Sequence, residues 1–331
     1  MKLRTAIIAY FAALSVTILP IGPSFAQTKT IRLSHSHQAN AESEIHTAAV
    51  IFEREIGAKS DTLQVRIFPA NALGQEREVY EALQLGGGAT CVISGTAILN
   101  NFAKRIGVLD LPYLWRDYEH VHKVLDGEIG ATLATDLEAV GLKVLAWMDS
   151  WGYRNVVTAN RDIKGPEDLR GLKIRTIQTP VYLAALNAMG ANATPMPYGE
   201  VYTSLQTGVI DGMEHGASVV VSTKIFEVTK YMVLTRHLYG PLVFVCSKRA
   251  WDGYSEKERA ALFAAASTAR DHQRSLAIPK ENEAFAFLKG KGMTIREIDT
   301  SAFQQRAQKS QDELAKGLGA TELLHRIRET R

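Results

Sequence analysis

The sequence predicts an α/β protein of two lobes, in which mixed sheets are covered by helices. The first observation is length: once a leader of 26 residues is removed, 305 of the 331 residues remain, which is more than one hydrophobic core usually organises. The second is the order of predicted elements, β-α-β-α-β in each half with connections of helical length, which is typical of parallel or mixed sheets. The third is a predicted strand that leads almost directly into the next one between the halves, as expected where a chain crosses between lobes.

The N-terminal residues 1–26 have the features of a secretory signal peptide. Lys2 and Arg4 are positively charged, Ala6–Leu19 is apolar, and Ser24–Ala26 is a small-x-small cleavage site. The apolar stretch is too short to span a membrane as a helix, and no cysteine follows the cleavage site as a point for lipid attachment. We therefore expect cleavage after Ala26 and a soluble, exported protein, in the periplasm if the host is Gram-negative.

The charge pattern gives no support for binding to nucleic acid or to an acidic membrane surface. The formal net charge of +3 falls to about +1 once the two positive residues of the leader are removed. Positive and negative residues are interspersed along the chain, without the basic patch or stripe that is typical of nucleic-acid binding. We expect no nucleic-acid partner.

The two cysteines, Cys91 and Cys246, lie far apart in the sequence and both fall in apolar, strand-like runs. Export permits a disulfide, but two cysteines are too few for a fold that depends on disulfides. The pairing stays open at this point, and buried free thiols are the preferred interpretation.

In the first half, strands are predicted at Thr30–Leu33, Leu63–Ile67 and Cys91–Ile93, with helices between them. Leu142–Trp147 is a further strand, and it leads into the strand Asn155–Val157 at the crossing between lobes. We assign residues 27–150 and 238–279 to lobe I.

In the second half, the segment Gly171–Pro180 predicts a short strand and then a helix, which Thr179 caps and Gly190 ends. The later segment Glu256–Leu288 predicts a long helix, bent near Pro279. We assign residues 151–237 and 280–331 to lobe II, so that crossing strands and the long helix join the lobes. This architecture suggests a clamshell with a small molecule in its cleft, although a fold alone does not define a function.

Arg175 lies where the predicted strand of this segment ends, close to the N-terminus of the following helix. A guanidinium and the unpaired N–H groups of a helix N-terminus both attract negative charge. The planar guanidinium can also hold a carboxylate by two parallel hydrogen bonds. An arginine that caps a loop or pairs with a surface acid would fit the same stretch, and the stretch alone does not decide between these interpretations.

Three blocks, in order along the chain, resemble one family. Pro195–His215 reads P-M-P-Y-G-E-V-Y-T-S-L-Q-T-G-V-I-D-G-M-E-H and is very similar to the family segment P-M-x-x-x-E-V-Y-x-A-L-Q-T-G-V-V-D-G-x-E-N. Gly171–Arg175 resembles G-[LM]-K-[IL]-R, and Asn71–Gly74 with Glu76 and Arg77 resembles the start of a family helix. The family is that of the DctP-type solute-binding proteins of tripartite ATP-independent periplasmic (TRAP) transporters, and the resemblance extends to the C-terminal helix.

The resemblance implies a periplasmic-binding-protein fold and a receptor, not an enzyme, that closes on a small organic acid and delivers it to a pair of membrane permease subunits. Arg175 matches the family arginine that holds the ligand carboxylate in a bidentate grip, and Arg154 matches a second basic position near the hinge. The other residues assigned to the cleft are Tyr198, Glu76, Ser94, His37, Trp151 and His215. We expect no cofactor and no metal ligands.

His215 departs from the family pattern, because the family usually has asparagine at this position. A neutral histidine offers one donor and one acceptor, whereas a protonated histidine offers two donors. The hypothesis is that His215 contacts the carboxylate or an adjacent hydroxyl of the ligand. Affinity should then increase as the pH falls towards about 6, near the ordinary histidine pKa.

Two other classes of protein stay open. The receptor of an ATP-driven importer would have a similar clamshell, and an exported enzyme could use Glu76 and His215 as an acid–base pair. The sequence contains no Gly-x-Ser-x-Gly or His-Glu-x-x-His motif, and His35 with His37 would supply too few ligands for a metal. The substrate stays open among hydroxy, keto, dicarboxylic and sugar acids, as do dimerisation and an assisting sodium or metal ion.

Overall fold

The computed structural model describes residues 28–331, so the signal peptide predicted at 1–26 lies outside the described residues. The strands are β1 (Lys29–Ser34), β2 (Leu63–Phe68), β3 (Cys91–Gly95), β4 (Leu142–Met148), β5 (Arg154–Thr158), β6 (Lys173–Thr176), β7 (Asn192–Pro195), β8 (Gly212–His215), β9 (Tyr231–Leu238), β10 (Leu242–Ser247) and β11 (Thr294–Arg296). The helices are α1 (Glu44–Lys59), α2 (Glu76–Gln84), α3 (Tyr118–Leu125), α4 (Glu128–Ala139), α5 (Pro180–Met189), α6 (Val201–Gln206), α7 (Ala217–Ser222), α8 (Lys248–Asp252), α9 (Glu256–Gly290), α10 (Ser301–Leu318) and α11 (Thr321–Glu329). No helix within 28–331 combines the length and apolar character needed to cross a membrane.

The first sheet has the strand order β2-β1-β3-β10-β4. β1 pairs in parallel with β2 and β3, whereas β10 pairs antiparallel with β3 and β4. Alternate residues of these strands point into two cores. One core includes Leu83, Leu133 and Ile327 from α2, α4 and α11, and the other includes Phe52 and Ala265 from α1 and α9. This sheet and its helices form lobe I.

The second sheet has the order β11-β9-β5-β8-β6-β7. β6 pairs in parallel with β7 and β8, and β5 pairs antiparallel with β8 and β9. Leu186 of α5 and Phe303 of α10 pack on one face. Val201, Val220 and Leu288, from α6, α7 and α9, pack on the other. The two mixed sheets covered by helices confirm the predicted fold class.

Helix α5 begins and ends where the sequence predicts. The Thr179 side chain accepts a hydrogen bond from the Tyr182 amide, Pro180 is the first helical residue, and Gly190 ends the helix in the left-handed conformation with φ of 107°. A non-glycine residue would be strained at this φ. The caps fix the start of α5 directly after β6, which places the helix N-terminus beside the end of that strand.

The lobes are joined at two chain crossings and by α9. The crossings lie between β4 and β5 and between β9 and β10, and α9 packs on both α1 and α7. Within the first crossing, the Tyr153 amide donates to Glu281 of α9 at 3.1 Å. Gly152 has φ of 87°, and a Cβ there would lie 2.4 Å from the Glu281 carboxylate. A glycine is therefore required where the crossing touches the long helix.

The interpretation of the cysteines as free thiols is wrong, because Cys91 and Cys246 form a disulfide. They lie directly opposite each other on the antiparallel pair β3 and β10. The sequence separation of 155 residues hides this pairing, since it depends on β10 returning to the first sheet after strands β5 to β9 of the second lobe. The disulfide lies inside a core of lobe I.

The predicted division into 27–150 with 238–279 and 151–237 with 280–331 remains a proposal. For the C-terminal segment the packing differs from that division. Helix α11 places Leu323, Leu324 and Ile327 in a core of lobe I, because its apolar face meets α4. Helix α10 instead packs on α5 of lobe II as well as on the turn Lys104–Asp110.

Candidate ligand-binding site

The predicted site residues meet at one edge of the two sheets, where the lobes face each other. β6 and β8 end at this edge, at Thr176 and His215. Because β5 is antiparallel to β8, with Asn155 opposite His215, its first residue Arg154 lies at the same edge. In open α/β sheets this edge, beyond the carboxyl ends of the parallel strands, is where ligands bind.

A cavity of about 20 Å³ lies between the lobes at this edge. It is lined by Ser36, His37, Glu76, Gly95, Ala97, Ile98, Trp151, Arg154, Arg175, Ile177, Tyr182, Tyr198, His215 and Gly240. Seven of the eight predicted residues are among them, and Ser94 donates a hydrogen bond to one of them, Glu76. A space of this size holds about one water molecule, so the lobes are closed and must separate to admit an organic acid.

Arg175 is buried in this cavity and retains a free donor. Its Nε and Nη2 donate to the Met196 carbonyl at 3.0 and 2.7 Å, and its guanidinium lies 5.4 Å from the centre of the Tyr198 ring. Nη1 has no hydrogen-bond partner among residues 28–331. Because each Nη carries two hydrogens, a carboxylate can approach end-on, with one oxygen on Nη1 and the other on the second hydrogen of Nη2.

Arg154 is held by Glu214, which the sequence did not single out. Arg154 donates from Nε and Nη2 to the two Glu214 carboxylate oxygens at 2.5 and 2.9 Å, and both side chains are buried. Burial acts to raise the pKa of Glu214, but Arg154 and His237 outweigh it and lower that pKa to about 2. Glu214 thus largely neutralises the positive charge of Arg154. On the lobe II side of the cleft, Arg175 carries the positive charge that remains.

His215 lies beside Arg154 as a neutral donor. Its Nδ1 accepts from the Gly216 amide at 2.9 Å, so the hydrogen of the neutral ring is on Nε2. This Nε2 lies 3.4 Å from Arg154 Nη1. Since both atoms carry hydrogen, the contact is not a hydrogen bond between them. The N–H groups of Arg154 Nη1 and His215 Nε2 therefore point to the same place, and neither accepts a hydrogen bond from the other.

The structure contradicts the expected pH response of His215. Burial, followed by the charges of Arg154, His37 and Arg175, lowers its pKa well below the ordinary value of 6.5. The ring therefore stays neutral in the closed cleft at pH 6. The sequence argument failed because it could not place two arginines against the ring.

The rings of His37, Trp151 and Tyr198 line the cleft together. His37 stacks on Trp151 with the ring centres 5.1 Å apart, and it also lies 6.0 Å from Tyr198. Burial lowers the pKa of His37 to about 4, so this ring is neutral as well. Within the described part of the chain, His37 Nδ1 and Trp151 Nε1 have no hydrogen-bond partner. These rings give the cleft an apolar face with two unused polar atoms.

The lobe I side of the cleft carries a carboxylate. Glu76 is the first residue of α2, and its Oε1 accepts from Ser36 at 3.4 Å and from Ser94. The negative charge of Glu76 acts on Arg175 across the cleft. The cleft therefore has a positive side in lobe II and a negative side in lobe I.

Sequence reasoning missed Tyr182, Ile98, Ile177 and Gly240, all of which line the cavity. Tyr182 lies on α5 with its ring 5.2 Å from the Arg154 guanidinium. Its position three residues after Thr179, in the first turn of the helix that follows Arg175, was the available signal. Ile98 and Gly240 lie in connections whose path the sequence does not reveal. Among residues 28–331, no group of three or more His, Cys, Asp or Glu side chains is placed to hold a metal ion.

Comparison with known proteins identifies the class to which this fold and cleft belong. Residues 35–317 match the family model DctP, described as bacterial extracellular solute-binding protein, family 7. The chain therefore belongs to this family of TRAP solute receptors, which are binding proteins and not enzymes. The sequence left open a TRAP receptor, the receptor of an ATP-driven importer and an exported enzyme, and the family assignment selects the TRAP receptor. It also places the protein in the periplasm.

Individual relatives agree with the family assignment over most of the chain. The 2,3-diketo-L-gulonate-binding periplasmic protein YiaO of Escherichia coli is 37% identical over 92% of this chain and 91% of its own length. The C4-dicarboxylate-binding periplasmic protein DctP of Rhodobacter capsulatus is 32% identical over 89% and 90%. A TRAP periplasmic solute-binding protein from Polaromonas, solved with bound D-erythronate, has a TM-score of 0.87 and 32% identity over 92% of this chain and 99% of that chain.

Proposed function

We propose that this TRAP receptor binds a hydroxylated monocarboxylic acid of the sugar-acid class between its lobes. Arg175 holds the carboxylate, while Arg154 and His215 donate to the same group or to a neighbouring hydroxyl. Tyr198, His37 and Trp151 contact the carbon chain, and Glu76 with Ser94 accepts hydrogen bonds from distal hydroxyls.

The observation that carries this proposal is a set of buried donors without acceptors. Arg175 Nη1 has no hydrogen-bond partner among the residues that the structure describes, and Arg154 Nη1 faces the hydrogen of His215 Nε2. An unpaired buried donor costs about 1–3 kcal/mol, and unpaired buried groups are rare in folded proteins. An anionic ligand with several oxygens supplies the acceptors that the protein lacks.

Glu76 favours a monocarboxylate over a dicarboxylate. An acid anchored on Arg175 extends towards lobe I, where Glu76 faces the cleft. A second carboxylate there would meet a like charge, whereas a hydroxyl would donate to it. The ligands printed for the E. coli and Polaromonas relatives, 2,3-diketo-L-gulonate and D-erythronate, are oxygen-rich monocarboxylates.

The receptor delivers its ligand to the small and large membrane subunits of a TRAP permease. The family assignment supports this partner. In membrane vesicles that contain both subunits, uptake of the acid should require the receptor and proceed without ATP. Uptake that depends on ATP would contradict this part of the proposal.

A thermal-shift screen of the mature protein tests the ligand class. The panel contains D-galactonate, D-galacturonate, D-glucuronate, D-erythronate and 2,3-diketo-L-gulonate, with succinate and malate as dicarboxylates and galactitol as a neutral control. A ligand at about 100 times its Kd stabilises the folded state by about 2.7 kcal/mol, which raises Tm by several degrees. A sugar acid should give the largest shift. A larger shift with succinate would overturn the role of Glu76, and no shift with any acid would overturn the proposed function.

A further inference from the structure

Outside the ligand cavity, a group of hydrogen bonds centred on Asp110 also joins the two lobes. Asp110 ends the turn Lys104–Asp110 in lobe I, and its carboxylate is buried. Thr96, also in lobe I, donates from Oγ1 to the two carboxylate oxygens at 3.3 and 3.2 Å. Tyr182 of lobe II donates from its hydroxyl to Oδ1 at 3.2 Å. The Asp110 carboxyl group thus bridges an interface that must separate when the cleft opens.

The chain crossing between β9 and β10 also meets this contact. Gly240 lies in that crossing with φ of 63°, and a Cβ there would lie 2.6 Å from the Tyr182 hydroxyl and 3.5 Å from Asp110 Oδ1. Lobe I, lobe II and the crossing therefore converge at the Asp110–Tyr182 contact. A side chain at position 240 would displace the tyrosine, so the contact exists only because this residue is glycine.

The surroundings of Asp110 favour an uncharged carboxyl group in the closed cleft. Burial raises the pKa of Asp110 to about 7, although hydrogen bonds from Tyr182 and Thr96 and the charge of Arg154 oppose the rise, while Glu214 adds to it. Arg154 is not a free counter-ion, because Glu214 holds it through two hydrogen bonds. The groups that contact Asp110 directly are neutral hydroxyls.

We propose that Asp110 and Tyr182 form a latch between the lobes that takes up one proton when the cleft closes on its ligand. The proton comes from solvent, is held on a carboxylate oxygen of Asp110, and returns to solvent when the cleft opens. In the open cleft, Tyr182 moves away with lobe II and water reaches the carboxylate. Asp110 does not line the ligand cavity, so it is a positioning residue. The inference rests on a receptor that closes on its ligand but not on which acid is bound.

The sign of the pH effect follows from the two states. A carboxyl group with a higher pKa in the closed state than in the open state favours closure as the pH falls. With a closed-state pKa of about 7 and the ordinary value of 3.8 in the open state, Asp110 alone should lower Kd about tenfold between pH 8 and pH 6. His37 and His215, whose pKa values are lowered in the closed cleft, act in the opposite direction, so the contribution of Asp110 is the difference between the wild type and a variant without this carboxyl group.

Titration calorimetry in two buffers of different protonation enthalpy tests the latch at pH 6.5. The probe is D-galactonate or, if another acid of the panel gives a larger thermal shift, that acid. The wild-type protein should take up about 0.8 protons per ligand more than Asp110→Asn, which resembles the protonated carboxyl and does not titrate. The ratio of the wild-type Kd to the Asp110→Asn Kd should fall about tenfold from pH 8 to pH 6. Asp61→Asn, at an exposed position, is the matched control and should retain the wild-type uptake.

Equal proton uptake in the wild-type protein and in Asp110→Asn would overturn the latch. A difference that appears instead between the wild type and His215→Asn would assign the proton to the ligand contact itself. If no acid binds, the proposed function fails and the latch is tested without ligand. Spin labels at Leu85→Cys and Val209→Cys, exposed positions in the two lobes, should then gain more of the shorter distance from pH 8 to pH 6 in the wild-type background than in Asp110→Asn. The same change in both backgrounds would overturn the latch.

Discussion

Arg175 shows how a single side chain can be prepared for a ligand before the ligand arrives. Two of its nitrogens are fixed on the Met196 carbonyl, and the Tyr198 ring covers the guanidinium. The side chain therefore loses little conformational freedom when a carboxylate binds. Its Nη1 has no hydrogen-bond partner among residues 28–331, which leaves it available to the proposed ligand, and no described acid forms a salt bridge with it.

Replacement of Arg175 by alanine should weaken the binding of any acid ligand by about 2–5 kcal/mol, because a buried charge pair loses one member. A micromolar Kd would move well towards the millimolar range. Calorimetric Kd values for the wild type and the variant test this, with Arg170→Ala as control, since the Arg170 side chain is 84% exposed. A Kd that changes less than threefold in Arg175→Ala would remove Arg175 as the anchor.

Glu76→Gln should reduce the preference for monocarboxylates. The substitution keeps the shape of the side chain but removes the charge that repels a second carboxylate, an effect of about tenfold in Kd at an effective dielectric constant near 20. The measurement is the ratio of the Kd values for succinate and D-galactonate. Glu81→Gln, on the exposed face of the same helix, should leave the ratio unchanged. An unchanged ratio in Glu76→Gln would mean that Glu76 does not select the ligand.

Single residues could be predicted from the sequence where a motif or a helix cap fixes them, as for Arg175 and the capped start of α5. The partner of Arg154 could not, because Glu214 reaches it only through the register of β5 on β8. The same holds for Asp110 and Tyr182, which come from different lobes. Local sequence carries local geometry, whereas these contacts depend on how strands far apart in the chain are aligned.

Helix α9 acts as an element of both lobes and contacts the first crossing at two places. Gln273 accepts from the Asp149 amide and donates to the Asp149 carbonyl, both at 3.0 Å. Glu281 accepts from the Tyr153 amide at 3.1 Å and from the Tyr118 hydroxyl at 3.2 Å. Gly152 leaves the space for its carboxylate. The sequence predicted the helix and the crossing separately, but not their contact. The pair Gly152 and Tyr153 does not by itself indicate that Glu281, more than a hundred residues later, lies against it.

Gly152→Ala should destabilise the protein more than Gly171→Ala. Both residues have a positive φ, 87° and 79°, but a Cβ at position 171 has nothing within 4 Å. The backbone cost of about 1 kcal/mol is common to both variants, and the clash with Glu281 adds about 1–3 kcal/mol in Gly152→Ala. Thermal unfolding measures the difference. Equal Tm values for the two variants would show that the Glu281 side chain moves away from the added Cβ with no loss of stability.

In the closed molecule as a whole, burial shifts the pKa values of histidines and of acids in opposite directions. Burial lowers the pKa of His35 to about 3 and that of His37 to about 4, and that of His215 falls well below 6.5. Burial also raises the pKa of Glu44 and of Asp110 to about 7. Folding therefore excludes protons from the histidines and retains protons on the two acids.

Stability should be greatest between about pH 6 and 7. The two acids have folded pKa values above their unfolded ones, so their contribution is lost as the pH rises from about 4 through 7. The histidines have folded pKa values below the unfolded 6.5, so their contribution is lost as the pH falls below 6.5. His46, His120 and His237 also have lowered pKa values, and Asp149 and Glu281 also have raised ones. Because the histidines with a lowered pKa outnumber the acids with a raised one, stability should fall between pH 6 and 4.5. Thermal midpoints measured from pH 4.5 to 8.5 test this, and a Tm that is higher at pH 4.5 than at pH 6.5 would contradict it.

The place of β10 in the first sheet determines the order in which an exported chain can be completed. β3 and β4 both pair with β10, which follows them only after β5 to β9 of lobe II have passed. Until then the first sheet lacks its inner strand, and β3 and β4 present unpaired edges of the kind that promote aggregation. Strands β5 to β9 come from one continuous stretch and can pair with each other without waiting for β10, and β11 joins the edge of their sheet later. The half of the protein that is made first therefore receives its inner strand only after five strands of the other half have been made, and a chain cut short before Leu242 leaves the first half with its edges open.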